Sequence, residues 1–103
     1  MDVIELDGQW HLRGAKDEAG GQSYFPFRPL AADGSLRPCA EVALSREGVL
    51  YSWTRFAGVF YGQIDLPEGV RIQTTLGEGP HEIEAPYRLT ILPEGQGWRF
   101  DRV

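Results

Sequence analysis

The sequence predicts an all-β protein built around a small barrel, and three observations support that fold class. The 103 residues include 13 Gly and 7 Pro, so turns recur at short intervals. Between the turns, apolar and polar residues alternate with a period of two, which is typical of strands with one buried face. Hydrophobic residues make up 42 % of the chain, which is enough for one compact core with a short appendage.

The first 40 residues are expected to form a short, irregular segment. Extended pieces are predicted at residues 9–13 and 22–25, and Pro26 ends the second of them. Glycine-rich and polar sequence predicts turns at residues 14–21 and 31–35. These pieces are too short to make a domain of their own.

From residue 41 onward the pattern is that of successive strands. Alternation and flanking turn residues predict strands at residues 41–45, 49–56, 59–66, 70–76, 87–92 and 98–103. Residues 67–69 read Pro-Glu-Gly and predict a hairpin turn. In the strand that follows, one face is expected to carry Val70, Ile72, Thr74 and Leu76.

A five-stranded OB-fold barrel has the size and strand count that residues 41–103 require. The boundary is therefore placed between an appendage of residues 1–40 and a barrel of residues 41–103. A helical turn is expected only at residues 80–84, in the gap where OB-folds often place a helix or a loop.

Charge disfavours a general nucleic-acid-binding role. The chain has fifteen acidic and ten basic residues, which gives a net charge of −5, and Lys16 is the single lysine. Proteins that grip phosphate backbones need clustered cations to displace counterions. A local basic groove stays open as an alternative.

No combination of residues in the sequence predicts catalysis. Cys39 is the single cysteine, and His11 and His81 lie in unrelated segments. No HExxH sequence, phosphate-binding glycine loop or nucleophile elbow is found. The acidic start of the chain lacks the features of a signal peptide, and no apolar run approaches transmembrane length. The sequence thus predicts a cytoplasmic protein that is not an enzyme and carries no cofactor.

The residues between Lys16 and Gly34 resemble the zinc ribbon of a known family. That family joins an N-terminal rubredoxin-like ribbon to a C-terminal OB-fold and is found beside thiolase-like and related acyl-CoA enzymes. The matching ribbon positions are Lys16, Gly21, Phe25, Pro26 and Arg28. The barrel is similar too, at residues 48–54, 63–71 and 98–100.

The resemblance also implies that the metal site is lost. The four positions where the family carries cysteines hold Asp17, Gly20, Ala31 and Gly34. Tetrahedral zinc needs four ligands, and three of these residues have no ligating side chain. We therefore expect a metal-free, degenerate ribbon whose loops are held by the packing of Tyr24, Phe25 and Phe27.

The candidate binding residues are Phe25, Arg28, Trp53 and Arg55, taken as one recognition surface for a partner or an acyl-CoA. An arginine at position 28 can bind phosphate or carboxylate, or it can make an ordinary surface ion pair beside a packed Phe25. The period of the strand predicts that Tyr51, Trp53 and Arg55 share one face. That face either stacks rings or packs beneath the ribbon, and periodicity leaves both open.

The resemblance implies a non-catalytic accessory subunit that binds a thiolase-like or related acyl-CoA enzyme. The alternative is an OB-fold protein that binds single-stranded nucleic acid, for which Trp53, Tyr51 and Arg55 are suitable residue types. A membrane role is not expected.

Overall fold

The computed structural model describes residues 2–103 and confirms the all-β class. Within that range there are nine strands and one short 3-10 turn, Pro93–Gly95. The chain divides into two compact units. The first unit is Met1–Ser45 with Glu68–Val70, and the second is Arg46–Pro67 with Arg71–Val103.

The first unit is organised around one long strand. Its strands are β1 (Val3–Leu6), β2 (Gln9–Asp17), β3 (Gln22–Tyr24) and β4 (Ala40–Ala43). Strand β2 pairs antiparallel with each of the other three. Leu12, Ala15 and Leu44 are fully buried, so the small core of this unit lies along β2 and the end of β4.

The predicted turn at residues 14–21 is wrong in its first half, because β2 continues through Gly14 to Asp17. A Cβ at Gly14 would lie 2.8 Å from both Leu44 Cγ and the Tyr24 carbonyl oxygen. The glycine therefore marks a close approach within a strand, which composition alone does not distinguish from a turn. The turn itself begins after Asp17, and Gly21 N–H donates to the Asp17 carbonyl over 2.6 Å.

The second unit is a five-stranded antiparallel sheet. Its strands are β5 (Glu47–Phe56), β6 (Val59–Asp65), β7 (Arg71–Thr75), β8 (Pro86–Ile91) and β9 (Trp98–Arg102), in the spatial order β7-β6-β5-β8-β9. A parallel bridge between Leu76 and Phe100 joins the chain after β7 to β9. The two outer strands of the sheet thereby meet, which gives the unit a barrel-like arrangement.

Alternation correctly predicted the buried faces of the later strands. Val70, Ile72, Thr74 and Leu76 are all at most 9 % exposed. In β8, Tyr87 and Leu89 are buried as expected. The core of the second unit includes Leu50, Ile64, Ile72, Tyr87, Leu89 and Phe100.

Two local predictions about the second unit are wrong. Residues 80–82 are irregular and residues 83–84 form a turn, so there is no helix in this segment. In β5, Tyr51, Trp53 and Arg55 do not share one face as predicted. The register shifts between Leu50 and Ser52, so that Leu50 pairs with Ile64 but Trp53 pairs with Gly62. The extra residue turns Trp53 and Arg55 to the side of Leu50 and leaves Tyr51 on the other face.

Candidate functional site

Four rings form an aromatic cluster in the second unit: Trp53, Phe60, His81 and Tyr87. The His81 ring lies 5.4 Å from Trp53, 4.6 Å from Phe60 and 5.8 Å from Tyr87, centroid to centroid. Trp53 meets Phe60 edge-on at 5.9 Å. Such tilted and edge-to-face contacts are the favourable arrangements for aromatic rings. The cluster therefore fixes the loop that carries His81 against β5, β6 and β8.

Both nitrogens of His81 are engaged in hydrogen bonds. Nε2 lies 3.0 Å from the Gly77 carbonyl oxygen, and a carbonyl can only accept, so Nε2 carries the proton and donates. Nδ1 lies 2.7 Å from the Tyr87 hydroxyl, which donates to it in the neutral ring. Burial raises the pKa of Tyr87 and keeps that phenol protonated. Neither nitrogen of His81 is left to act on a substrate.

Arg55 borders this aromatic cluster and has no carboxylate partner within residues 2–103. Its guanidinium lies 5.7 Å from the centre of the Phe60 ring. A cavity of about 420 Å³ opens beside it, with Phe60, Gly77, Glu78 and Arg99 also on its wall. Arg99 donates through Nε to Asp101 over 3.0 Å. The cavity thus combines an aromatic face with two guanidinium groups and one carboxylate.

Arg28, in the first unit, also carries its charge without a carboxylate partner among the described residues. Its guanidinium lies 5.4 Å from the Tyr24 ring centre, and Nε donates to the Leu30 carbonyl over 2.6 Å. Arg28 is exposed and Phe25 is half-buried. Both belong to the segment that follows β3.

A buried carboxylate, Asp17, holds the first of the four cysteine-matching positions and forms an ion pair with the partly exposed Arg37. The Asp17 side chain is 1 % exposed and accepts hydrogen bonds from the Gly20 amide at 3.1 Å and from Arg37 Nε at 2.8 Å. Arg37 Nη2 lies 2.7 Å from Asp17 and 2.7 Å from Asp33. The Arg37 hydrogen bond, followed by that of Gly20, lowers the pKa of Asp17.

Arg37 also accounts for the absence of a side chain at position 20. A Cβ there would lie 2.6 Å from Asp17 Oδ2 and 2.7 Å from Arg37 Nη2. The Arg37 carbonyl further accepts the Ala31 amide at 2.9 Å, which ties the loop of the third position to the same arginine. Across residues 2–103, no three His, Cys, Asp or Glu side chains gather in a way that could hold a metal ion.

Two of the aromatic residues expected to hold these loops, Tyr24 and Phe27, contact neighbouring residues. Phe27 lies under Arg13, with the guanidinium 4.1 Å from the ring centre. The Tyr24 hydroxyl accepts the Ala32 amide at 3.2 Å and donates to Gln22 over 3.1 Å. Sequence reasoning did not identify Arg37 as part of this site. Its only signal in the sequence is indirect: an aspartate that becomes buried, as Asp17 does, needs a cation beside it.

The four sequence-predicted binding residues fall into two pairs. Phe25 and Arg28 belong to the first unit, whereas Trp53 and Arg55 belong to the second. Trp53 and Arg55 both contact the Phe60 ring and so form one local site. No helix among residues 2–103 is long and apolar enough to cross a membrane.

Comparison with known proteins adds one informative similarity. No family model and no curated protein matches the chain. Its fold is similar to that of a chain in the solved structure of the Ltp2-ChsH2(DUF35) aldolase, with a TM-score of 0.71 and 20 % sequence identity. The alignment covers 89 % of this chain and 84 % of that chain. At this identity the similarity shows a shared fold.

Proposed function

We propose that this protein is a non-catalytic accessory subunit that binds a thiolase-like or related acyl-CoA enzyme. The observation that carries the proposal is the shared fold over 89 % of the chain with a protein from an aldolase that combines Ltp2 with ChsH2(DUF35). The ribbon-like sequence pattern between Lys16 and Gly34 supports the same assignment from an independent direction.

We also infer that the second unit is an OB-fold and the first a metal-free relic of a zinc ribbon. The strand order β7-β6-β5-β8-β9 and the parallel Leu76–Phe100 bridge agree with a five-stranded Greek-key barrel. The Asp17–Arg37 pair supports the ribbon assignment, because it lies where the first two metal ligands are matched. The boundary proposed from the sequence, between residues 1–40 and 41–103, falls within β4, whereas the second unit begins at Arg46.

A binding role suits the residues better than a catalytic one. Cys39 is only partly buried and lies apart in sequence from both histidines. The ring of His81 has both nitrogens bonded within the fold. A general base needs a free nitrogen within reach of the substrate proton.

The recognition surface is proposed to include Phe25, Arg28, Trp53 and Arg55. Arg28 contacts an aromatic ring and a carbonyl within residues 2–103, and Arg55 contacts an aromatic ring, and neither is bonded to a carboxylate there. A guanidinium without an internal carboxylate can form bidentate bonds with a carboxylate or phosphate of a partner or an acyl-CoA. Trp and Arg are the residue types that most often dominate interface energy.

Affinity capture from native cells, followed by mass spectrometry, tests this function. The expected result is an acyl-CoA enzyme of thiolase-like type, captured by the unmodified protein and lost with the double variant Arg28→Ala/Arg55→Ala. Arg88→Ala is the matched control, because Arg88 is exposed and bonded to Glu47. Equal capture by the double variant would refute the surface, and consistent capture of unrelated proteins would refute the function.

A further inference from the structure

The second half of β5 is an edge of the sheet that no other strand covers among the described residues. The first residues of β5 pair with β8, and Leu50 then exchanges backbone hydrogen bonds with Glu84 and Ala85 over 2.7 and 3.1 Å. Beyond Leu50, residues 51–56 form no backbone hydrogen bond within residues 2–103 except those with β6. The neighbouring segment leaves β5 at Glu84, whose φ of 70° breaks the extended conformation.

The hairpin turn between β5 and β6 determines which backbone groups face this edge. Both turn residues, 57–58, have positive φ, 52° and 80°, which is the combination of a type I′ turn. Such a turn is closed by a hydrogen-bonded pair, here Phe56 with Val59, and bonded and non-bonded pairs alternate from there. Arg55 and Trp53 therefore belong to non-bonded pairs. Each of them points its N–H and its C=O away from β6, towards the open edge.

This open edge lacks the features that usually protect an edge strand. Lysine, proline and a covering loop commonly fulfil that role. Residues 53–56 read Trp-Thr-Arg-Phe and contain neither lysine nor proline. Phe56 is 72 % exposed and its cross-strand neighbour Val59 is 40 % exposed, so apolar surface lies at the end of the hairpin. Unpaired backbone groups beside exposed apolar side chains are the features of a surface that accepts an additional strand.

Arg55 gives the open edge a preference for an acidic strand. Its side chain is exposed, and its guanidinium contacts the Phe60 ring but no carboxylate within residues 2–103. In an added strand, the residue opposite Arg55 places its side chain on the same face about 5 Å away, where opposite charges attract. Residues 51–56 contain no acidic residue, so the same edge of a second copy does not supply that carboxylate. An acidic strand from a different protein fits the edge better.

We propose that the open edge of β5 binds an extended acidic segment of the partner protein by β-strand addition. Backbone hydrogen bonds to Trp53 and Arg55 hold the segment, and an aspartate or glutamate of the segment lies opposite Arg55. The residues next to that carboxylate are apolar and lie on the other face, beside Phe56. The proposal deepens the proposed function by stating how the accessory subunit holds its enzyme, and it rests on that function only for the identity of the partner.

Selection of random linear peptides displayed on phage, against the immobilised full chain, tests this mode of binding. The expected consensus is an aspartate or glutamate between apolar or β-branched residues. A synthetic consensus peptide is then N-methylated at one residue at a time, and its affinity is measured by fluorescence anisotropy. Only every second amide of an added strand bonds to the edge. Methylation at alternate positions should therefore abolish binding, and methylation at the positions between should leave it largely intact.

Two substitutions at Arg55 separate its charge from its backbone donor. Arg55→Ala removes the guanidinium and should weaken binding of the consensus peptide roughly two- to five-fold. Arg55→Pro also removes the outward N–H and should weaken binding by a further factor of roughly two to ten, the effect of one hydrogen bond. Edge positions whose N–H faces outward tolerate proline, and melting temperatures will verify that both variants fold. Arg88→Ala is the matched control, since Arg88 is exposed and bonded to Glu47, and it should leave binding unchanged.

A loss of affinity that does not alternate along the N-methylated peptide overturns the proposal, and this measurement uses the unmodified protein. The absence of an enriched consensus, a consensus without an acidic residue, or equal binding to Arg55→Ala and Arg55→Pro overturns it too. A concentration-dependent dimer in analytical ultracentrifugation that Arg55→Pro disperses assigns the edge to a second copy instead. These failures leave the capture of an acyl-CoA enzyme, and so the proposed function, intact. Peptide binding at the edge without such capture refutes the function alone.

Discussion

At the scale of single residues, we propose that an ion pair takes the place of a metal in the ribbon-like segment. A zinc site stores folding free energy in four ligand bonds. Here one buried carboxylate, Asp17, is satisfied by Arg37 and by the Gly20 amide, and Arg37 reaches on to Asp33. Loss of the arginine alone would leave Asp17 as an unpaired buried charge, which is strongly unfavourable.

Removing the cation should therefore destabilise the first unit. Arg37→Met keeps most of the side-chain volume but leaves the Asp17 carboxylate without its main donor. The expected result is a melting temperature lower by several degrees, measured by thermal unfolding followed by circular dichroism. Arg88→Ala, which breaks an exposed pair with Glu47, is the control and should change little. A melting temperature unchanged in Arg37→Met would contradict the structural role of this pair.

The same carboxylate should make stability depend on pH in the acid range. The pKa of Asp17 is lower in the folded protein than its ordinary value of 3.8, chiefly because of Arg37. Its contribution is complete above pH 3.8 and is lost as the pH falls from there through the folded pKa. Denaturant unfolding at several pH values should show this loss, and Asp17→Asn should reduce its slope. Glu18→Gln, an exposed neighbour, should retain the slope of the wild type.

At the scale of secondary structure elements, the strands were predictable and their irregularities were not. Alternation located β6, β7, β8 and β9, because each has one face in the core and one outside. The bulge in β5 cannot be recognised from the composition of the strand, yet it places Trp53 and Arg55 on the opposite face from the one that alternation predicts. Likewise Gly14 has the composition of a turn but lies inside a strand, where the approach of Leu44 and Tyr24 requires it.

Gly14→Ala is the direct test of that close approach. The added methyl would lie 2.8 Å from the Leu44 side chain and from the Tyr24 carbonyl, so the core must shift to accept it. Overpacking of this kind costs about 1–3 kcal/mol of unfolding free energy. Urea unfolding measures it, with the exposed Lys16→Ala on the same strand as control. A free energy of unfolding equal to that of the wild type would show that β2 is not crowded at this position.

The candidate site was predictable only where neighbours in sequence are also neighbours in space. Trp53 and Arg55 lie two residues apart on one strand, and both contact Phe60. Asp17 with Arg37, and His81 with Phe60 and Tyr87, are brought together by pairings that no local pattern encodes. The row formed by Ser52, Gln63 and Gln73 likewise depends on the register of three strands, which alternation within each strand does not determine.

At the scale of the whole molecule, stability should not depend on a metal. The matched cysteine positions carry Asp17, Gly20, Ala31 and Gly34, and Arg37 occupies the space beside the first two. We expect elemental analysis of the purified, untagged protein to find no stoichiometric zinc. Chelators should leave the melting temperature unchanged, since no folding free energy is stored in a metal. About one zinc per chain would overturn this prediction.

The overall charge predicts weak or absent binding of single-stranded nucleic acid at physiological salt. The net charge is −5, and six arginines are bonded to carboxylates within the described chain: Arg13, Arg37, Arg71, Arg88, Arg99 and Arg102. A phosphate backbone must compete with those carboxylates, whereas Lys16, Arg28 and Arg55 have no such partner among residues 2–103. Three cations displace too few counterions for appreciable affinity at that ionic strength.

Fluorescence titration with labelled oligonucleotides of DNA and RNA, over a range of salt concentrations, measures this binding. We expect no saturation at micromolar protein and at most a shallow salt slope, about the three charges that Lys16, Arg28 and Arg55 supply. The double variant Arg28→Ala/Arg55→Ala should weaken whatever binding is seen at low salt. Micromolar affinity at physiological salt with a steep slope requires several more cations than the folded protein leaves unpaired. That outcome would therefore replace the accessory-subunit proposal with the nucleic-acid-binding alternative, and it would place the bound strand on the aromatic cluster beside Arg55.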